Sequence, residues 1–473
     1  MGDSPAADDS TADSPAADSV RTRLSRSLTR RRLLLAGGAA LGAVGVSRLR
    51  TEPPTSIQTP DGTWPFTDRD SARTSAAQAA APPTAPTISW QKRPVSSVDS
   101  LVVGPEHVYV GSRRSDAQAP QVAALVRDDG TVQWTAQAPG IRLAYAGGAV
   151  YATGTSETGN SAEEREPPFG SVVRLDASTG ERMWRHPLRD RGERLLVTRQ
   201  TVYVGSQYGL DALERDGGRC MFRAQTGGGP TTPLLVDGSL VLTGSRVGRY
   251  GARRWSDLVL KRLPSPVWTR NPTSLTLDPA VIEDAGTASS LVATGTLGTY
   301  NDAAQMIRTH AVPDGSRRWD AVNAGPLSDP TVVKELCAAG PRLFHGLRTG
   351  SDAQRQRSLV CRDATTGAEQ WRASFPNWLR SVVVAGDRVL AGTRLDAVTP
   401  AGSNGSEQSG SNNGRPPPGR IAAFTLDGTV RWRVPIPGSV AHVVPVSNRV
   451  FVGTDDASYG GRTANSGHVI AVD

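Results

Sequence analysis

Chemistry in this chain would have to come from six histidines, three cysteines and an unusual share of arginine. His107, His186, His310, His345, His442 and His468 show neither the HxH nor the HExxH spacing that brings two imidazoles to one metal. Cys220, Cys337 and Cys361 form no CxxC and no adjacent pair, so neither a zinc site nor a disulfide framework is indicated. Cys337 and Cys361 offer at most one pairing, and small buried hydrophobes are the plainer reading of all three. No Gly-x-Ser-x-Gly turn raises a nucleophile. The sequence therefore assigns no catalytic, cofactor-binding or metal-binding residue.

Of 53 basic residues only Lys92, Lys261 and Lys334 are lysines, and the formal net charge is +8. Arginines recur after a series of regularly spaced aromatics: Arg142, Arg185, Arg223, Arg270, Arg372 and Arg433. If several turn inward on a ring, the mouth of its channel is positive and favours an anionic ligand or partner surface. The alternative is that an arginine-biased chain places arginine on every exposed turn. Beyond residue 50 there is no Lys/Arg run interleaved with aromatics, so no nucleic-acid partner is expected.

The elements that must position these residues are short. Fifty glycines and 34 prolines punctuate the chain, and no long amphipathic periodicity is visible. One unit recurs eight times, its second strand reading Val108-Tyr109-Val110-Gly111-Ser112, Val202-Tyr203-Val204-Gly205-Ser206 or Val450-Phe451-Val452-Gly453-Thr454. It closes on a turn and an aromatic, most fully in Asp176-Ala177-Ser178-Thr179-Gly180 before Trp184 and in Asp363-Ala364-Thr365-Thr366-Gly367 before Trp371. The closing aromatics are Trp90, Trp134, Trp184, Phe222, Trp268, Trp319, Trp371 and Trp432, spaced 38 to 61 residues apart, as four-stranded blades require. Glycine supplies the positive φ of the turn, Asp and Thr bond its backbone, and the indole wedges between twisted sheets. These aromatics are read as blade-docking residues rather than ligand contacts.

With these motifs, residues 87–473 resemble the quinoprotein-like (PQQ-type repeat) β-propeller family, including its assembly-factor-like members. The resemblance implies an all-β fold, an eight-bladed β-propeller of four-stranded antiparallel blades. Only three strands follow Trp432, and the strand near Trp90 is expected to complete the C-terminal blade and close the ring. Quinoprotein dehydrogenases of this fold carry an adjacent cysteine pair and calcium-binding carboxylates, and this chain has no such pair.

Residues 1–50 read as an address. An acidic, Ser/Ala/Pro-rich stretch precedes Thr29-Arg30-Arg31-Arg32-Leu33-Leu34-Leu35 and an apolar run to Val46, which resembles a twin-arginine export signal. That run is short of the roughly 20 residues of a spanning helix, leaving an uncleaved signal as the only expected membrane contact. Residues 51–86, rich in Pro and Ala, are expected to act as an extended linker. Within them, Trp64-Pro65-Phe66 with Arg69-Asp70 resembles a short segment that precedes exported members of the family.

The expected function is an exported, non-catalytic binding scaffold of the cell envelope or extracellular space, a monomer that engages protein partners and needs no cofactor. The alternative is a PQQ-dependent dehydrogenase, degenerate or not, holding PQQ and Ca²⁺ in the central channel. The longest insertions, 156–170 and 395–420 among them, fall between second and third strands, on the face expected to bind.

Overall fold

The computed structural model describes residues 53–70, 72–77, 80, 82–113, 119–155, 169–226, 230–244, 246–250, 263, 266–270, 276–282, 291–296, 305–323, 332–349, 356–375, 379–393, 419–455 and 467–473. The export-signal reading of residues 1–50 lies outside them, as do residues 156–168 of the insertion 156–170, residues 395–418 of the insertion 395–420, and residues 456–466 of a third insertion at 455–466. Every named element is a β-strand.

The strands form eight sheets, called here blades one to eight. Their first strands are Ser100–Val103, Arg142–Ala146, Arg194–Val197, Thr232–Val236, Thr276–Ile282, Val332–Ala339, Leu379–Ala385 and Ser439–Val446. Each packs against the first strand of the next blade, and that of blade eight against that of blade one, so the first strands are innermost. They read as apolar runs buried at nearly every position, as strands covered on both faces must. The outermost strands alternate instead: Arg182–Leu188 exposes Arg185 and Pro187 and half-buries Trp184 and His186.

In all eight blades the third and fourth strands slip by one residue immediately before the closing aromatic. A bulge sharpens local twist, and here it precedes a ring turned into the gap between blades. The Trp134 indole N–H donates to the Ala177 carbonyl of the next blade at 3.0 Å, Trp319 to Ala364 at 2.9 Å and Trp371 to Leu426 at 2.9 Å. The turn that receives Trp134 contains Gly180 at φ +75, where an added Cβ would lie 2.6 Å from the indole. Gly367 stands in the same relation to Trp319. The Asp176 carboxylate accepts the Ser178 hydroxyl and the N–H groups of Ser178 and Thr179, which fixes the turn and holds that carboxyl below its usual range.

Blade eight draws on both ends of the described chain. Ile88–Lys92 pairs antiparallel with Val469–Val472, with Trp90 opposite Ala471. Arg449 clamps Asp473, donating to Oδ2 at 2.8 Å. Trp432 of blade seven meets no third-to-fourth turn there and donates to the Pro83 carbonyl at 2.8 Å.

Candidate functional site

The Pro/Ala-rich stretch expected to hang as a linker is instead hydrogen-bonded along the innermost strands. Arg199 of blade three donates its N–H to Thr55, and Trp64 exchanges backbone bonds with Val103 of blade one. Tyr145 of blade two donates to Pro65, Val281 of blade five to Ala72, Ala338 of blade six to Thr74, and Val384 of blade seven to Ser75. Ala76–Ala77 then adds to blade seven as a short parallel strand. Backbone groups make these contacts, so a composition poor in strand formers does not prevent them. At its centre, the Asp70 carboxylate accepts the N–H groups of Ala72 and Thr74 and the Thr74 hydroxyl. Burial nonetheless leaves the Asp70 carboxyl above its usual range.

All these contacts fall near the C-terminal ends of the innermost strands, so the segment covers the side of the ring that carries the first-to-second-strand hairpins. Towards the other side it leaves a cavity of about 290 Å³. Thr67, Asp68, Arg73 and Ser75 of the segment line it, together with innermost-strand residues of blades two and five to eight and neighbouring residues of blades one and eight.

The lining is charged but largely self-paired. Arg113 donates Nε to Asp99 at 2.5 Å, while the second oxygen of Asp99 takes the Arg113 N–H at 2.7 Å and the Ser97 hydroxyl. Arg380 of blade seven pairs with Asp455 of blade eight at 2.5 Å, and Arg73 pairs with Asp68. Burial, reinforced by Arg142, pushes the His442 imidazole down to about 4, so it is neutral near pH 7. Among the described residues no group of three or more His, Cys, Asp or Glu is arranged to hold a metal ion.

One-residue bulges shape this wall. First and second strands slip between Leu277 and Ala280, Lys334 and Cys337, Leu379 and Ser381, and Val440 and His442, in blades five to eight. The residues spanned include Pro279, Glu335, Arg380 and Ala441, all of which line the cavity. Blades one to four show no such slip in their first pair.

Of the six arginines picked out for a binding face, only Arg142 reaches the cavity. Arg185, Arg223, Arg270, Arg372 and Arg433 are exposed on outermost strands, which run on for several residues past the aromatic before turning inward. Arg223 pairs with Asp211 and Arg372 with Glu369 on the same blade. The idea of an arginine-lined mouth built from them is corrected accordingly. All eight closing aromatics sit on outermost strands, with Trp90, Trp134, Phe222, Trp268 and Trp319 buried and Trp184, Trp371 and Trp432 half-buried.

Cys337 and Cys361 both stand opposite Phe344, one on each side, two strand spacings or roughly 10 Å apart. That is beyond the reach of a disulfide, and both are free. Burial raises both thiols, Cys361 to about 12. His345 is fully buried and accepts a hydrogen bond from Arg362 Nε at 3.1 Å, and its pKa falls to about 3 through burial. Sequence reasoning missed Arg73, Arg113, Arg380 and Glu335 as a group: one-residue bulges, which have no compositional signal, place Arg380 and Glu335, while Arg73 comes from the N-terminal segment and Arg113 from beyond the second strand of blade one.

The family profile described as outer membrane protein assembly factor BamB matches residues 118–250 and 303–473. No curated protein matches the chain. Among solved structures, BamB from Moraxella catarrhalis aligns with TM-score 0.54 at 14% identity, over 82% of this chain and 98% of that one. A europium-containing methanol dehydrogenase aligns with TM-score 0.59 at 13% identity, over 90% and 99%. The quinohemoprotein alcohol dehydrogenase from Comamonas testosteroni gives 0.57 at 14%, over 92% and 84%. At such identities the likeness is one of fold.

Proposed function

Since the chain belongs to the outer membrane protein assembly factor BamB family, we propose that it is a non-catalytic scaffold of the cell envelope or extracellular space that docks a protein partner. The docking face is the one opposite the N-terminal segment, where second strands end and insertions 156–168, 394–418 and 456–466 begin. What carries this reading is the state of the channel. One side is covered by residues 53–77, and the carboxylates a calcium ion would need, Asp99, Asp455 and Asp68, are already held by guanidiniums. Calcium takes six to eight oxygen ligands, and a carboxylate committed to arginine is a poor donor for it. The lining does not fit a calcium-bound quinone. The dehydrogenase neighbours share the fold, which hosts both kinds of protein.

The test uses the full chain and a variant with residues 394–418 replaced by a short Gly/Ser linker. Cross-linking in the native envelope should yield a defined partner with the parent and lose it with the variant at unchanged melting temperature. Saturable binding of PQQ with Ca²⁺, accompanied by alcohol-dependent dye reduction, would overturn the scaffold reading.

A further inference from the structure

Each blade ends at the rim in an outermost strand whose far side is an open sheet edge. Such edges invite pairing with another chain, and charge or proline on the strand is the usual deterrent. Seven of the eight carry a lysine or arginine, from Lys92 in blade eight to Arg433 in blade seven, and blades two and seven add Pro187 and Pro435. Blade one is the exception: its outermost strand, Val132–Gln137, reads Val-Gln-Trp-Thr-Ala-Gln and holds neither charge nor proline. Gln133, Thr135 and Gln137 alternate along it as exposed positions, and Val132 is 45% exposed at its start. The Ala138 N–H bonds inward to the Pro120 carbonyl at 3.1 Å. By the alternation of an antiparallel ladder, Thr135 and Gln137 therefore turn their N–H and C=O groups outward. Among the described residues no strand takes them up.

We propose that this edge is an interface between two copies of the chain, paired antiparallel about a two-fold axis that passes beside Thr135. A two-fold contact is self-complementary, so a strand of net positive charge meets the same positive charge on its copy. Like charges across a strand pair destabilise it, which disfavours six of the other edges. The seventh, in blade six, holds Glu369 and Arg372 in an ion pair with each other, and a second chain there would strip water from both. In blade one the same operation sets Thr135 against Thr135 of the second copy and Gln137 against Gln133. These side chains share one exposed face and form an uncharged, hydrogen-bonding ladder, while the two blades become one continuous sheet. One short strand buries far less than a standard interface, so the pairing is weak and depends on concentration. The inference concerns the rim, replaces the monomer expected from the sequence, and is independent of the docking face.

The experiment is analytical sedimentation of the full chain from about 1 µM to about 300 µM. The parent should pass from monomer to dimer, half associated at about 50 µM. Thr135→Arg and Thr135→Glu, each at an exposed position, should keep the parent's melting temperature and weaken association about tenfold or more. Mixed in equal amounts, the two should pair again at least as tightly as the parent, because opposite charges then face each other across the axis. Thr135→Cys should give a disulfide-linked dimer on mild oxidation where the parent does not, since facing residues of a hydrogen-bonded pair stand about 5.5 Å apart. If a charged variant melts early, the cysteine variant still reports the register, and its failure to cross-link counts against it. A parent that stays monomeric up to about 300 µM overturns the proposal. So does a dimer that survives Thr135→Arg, or a mixture of the two charged variants that stays monomeric.

Discussion

In blades one to four the innermost strand is four or five residues long and pairs with its neighbour in unbroken register. In blades five to eight it is seven or eight residues long and slips by one. Yet all eight blades carry the same slip before the closing aromatic. The outer layer is a repeat that holds neighbouring blades together, and its one-residue slip is kept even where Phe222 replaces Trp in blade three. The inner layer is where half the ring departs from the pattern, and the cavity lies against that half. Blades three and four contribute nothing to its lining. Stability and specificity are thus carried by different layers of the same sheets.

The sharpest way to break this comparison is to damage the outer layer in both halves. Gly180→Val in blade two and Gly367→Val in blade six each force a Cβ into an indole at positive φ, and each should cost about 3 kcal/mol or more. Urea melts should show equal losses; a clearly smaller loss in either half would mean the repeat is not uniform. Acid should then separate the halves. His345 in blade six and His442 in blade eight are held near 3 and near 4, below the 6.5 of an ordinary imidazole. Below about 6.5 the unfolded chain takes up protons that the folded chain refuses, so stability falls as pH drops through that window towards 3. Hydrogen exchange at pH 5 should show protection falling in blades six and eight before blades three and four, whose strands carry no histidine.

Smaller effects test single contacts. Trp184→Phe and Trp319→Phe each remove one indole hydrogen bond across a blade boundary and should cost about 1 kcal/mol apiece, in line with the Phe222 that blade three already uses. Glu335→Gly relieves a left-handed residue and should raise the melting temperature slightly, by no more than about 1 kcal/mol of stability. The same change at Val197, in the regular half, should lower it. A loss at both positions would mean that the bulge stores no strain.

The parts legible in the sequence are those set by local pattern. Strand periodicity, the Asp-to-Gly turn and the spacing of Trp134, Trp184, Trp319 and Trp371 each lie within a few residues, and each marks an outer-layer feature seen in the structure. What was not legible is set by contact at a distance. Nothing in Thr74-Ser75-Ala76-Ala77 announces that its carbonyls accept hydrogen bonds from blades six and seven, because backbone bonds leave no trace in side-chain type. Arg380 and Arg433 look alike in sequence, yet one lines the channel and the other lies on the rim, a difference decided by which strand of the blade each occupies. The cavity escaped notice for the same reason.

The pairing of Ile88–Lys92 with Val469–Val472 also imposes an order in time. Ser89 donates to the Ala471 carbonyl across 382 positions of sequence, so a strand synthesised early waits for nearly the whole chain before its partner exists. Loop closure over such a span makes completion of blade eight a late event in folding. Until then the strand at Val469–Val472, buried at every position in the finished ring, presents an open edge. Two chains at that stage can each lend the other the missing strand, so the clasp that finishes one molecule is also the point at which two are most easily exchanged.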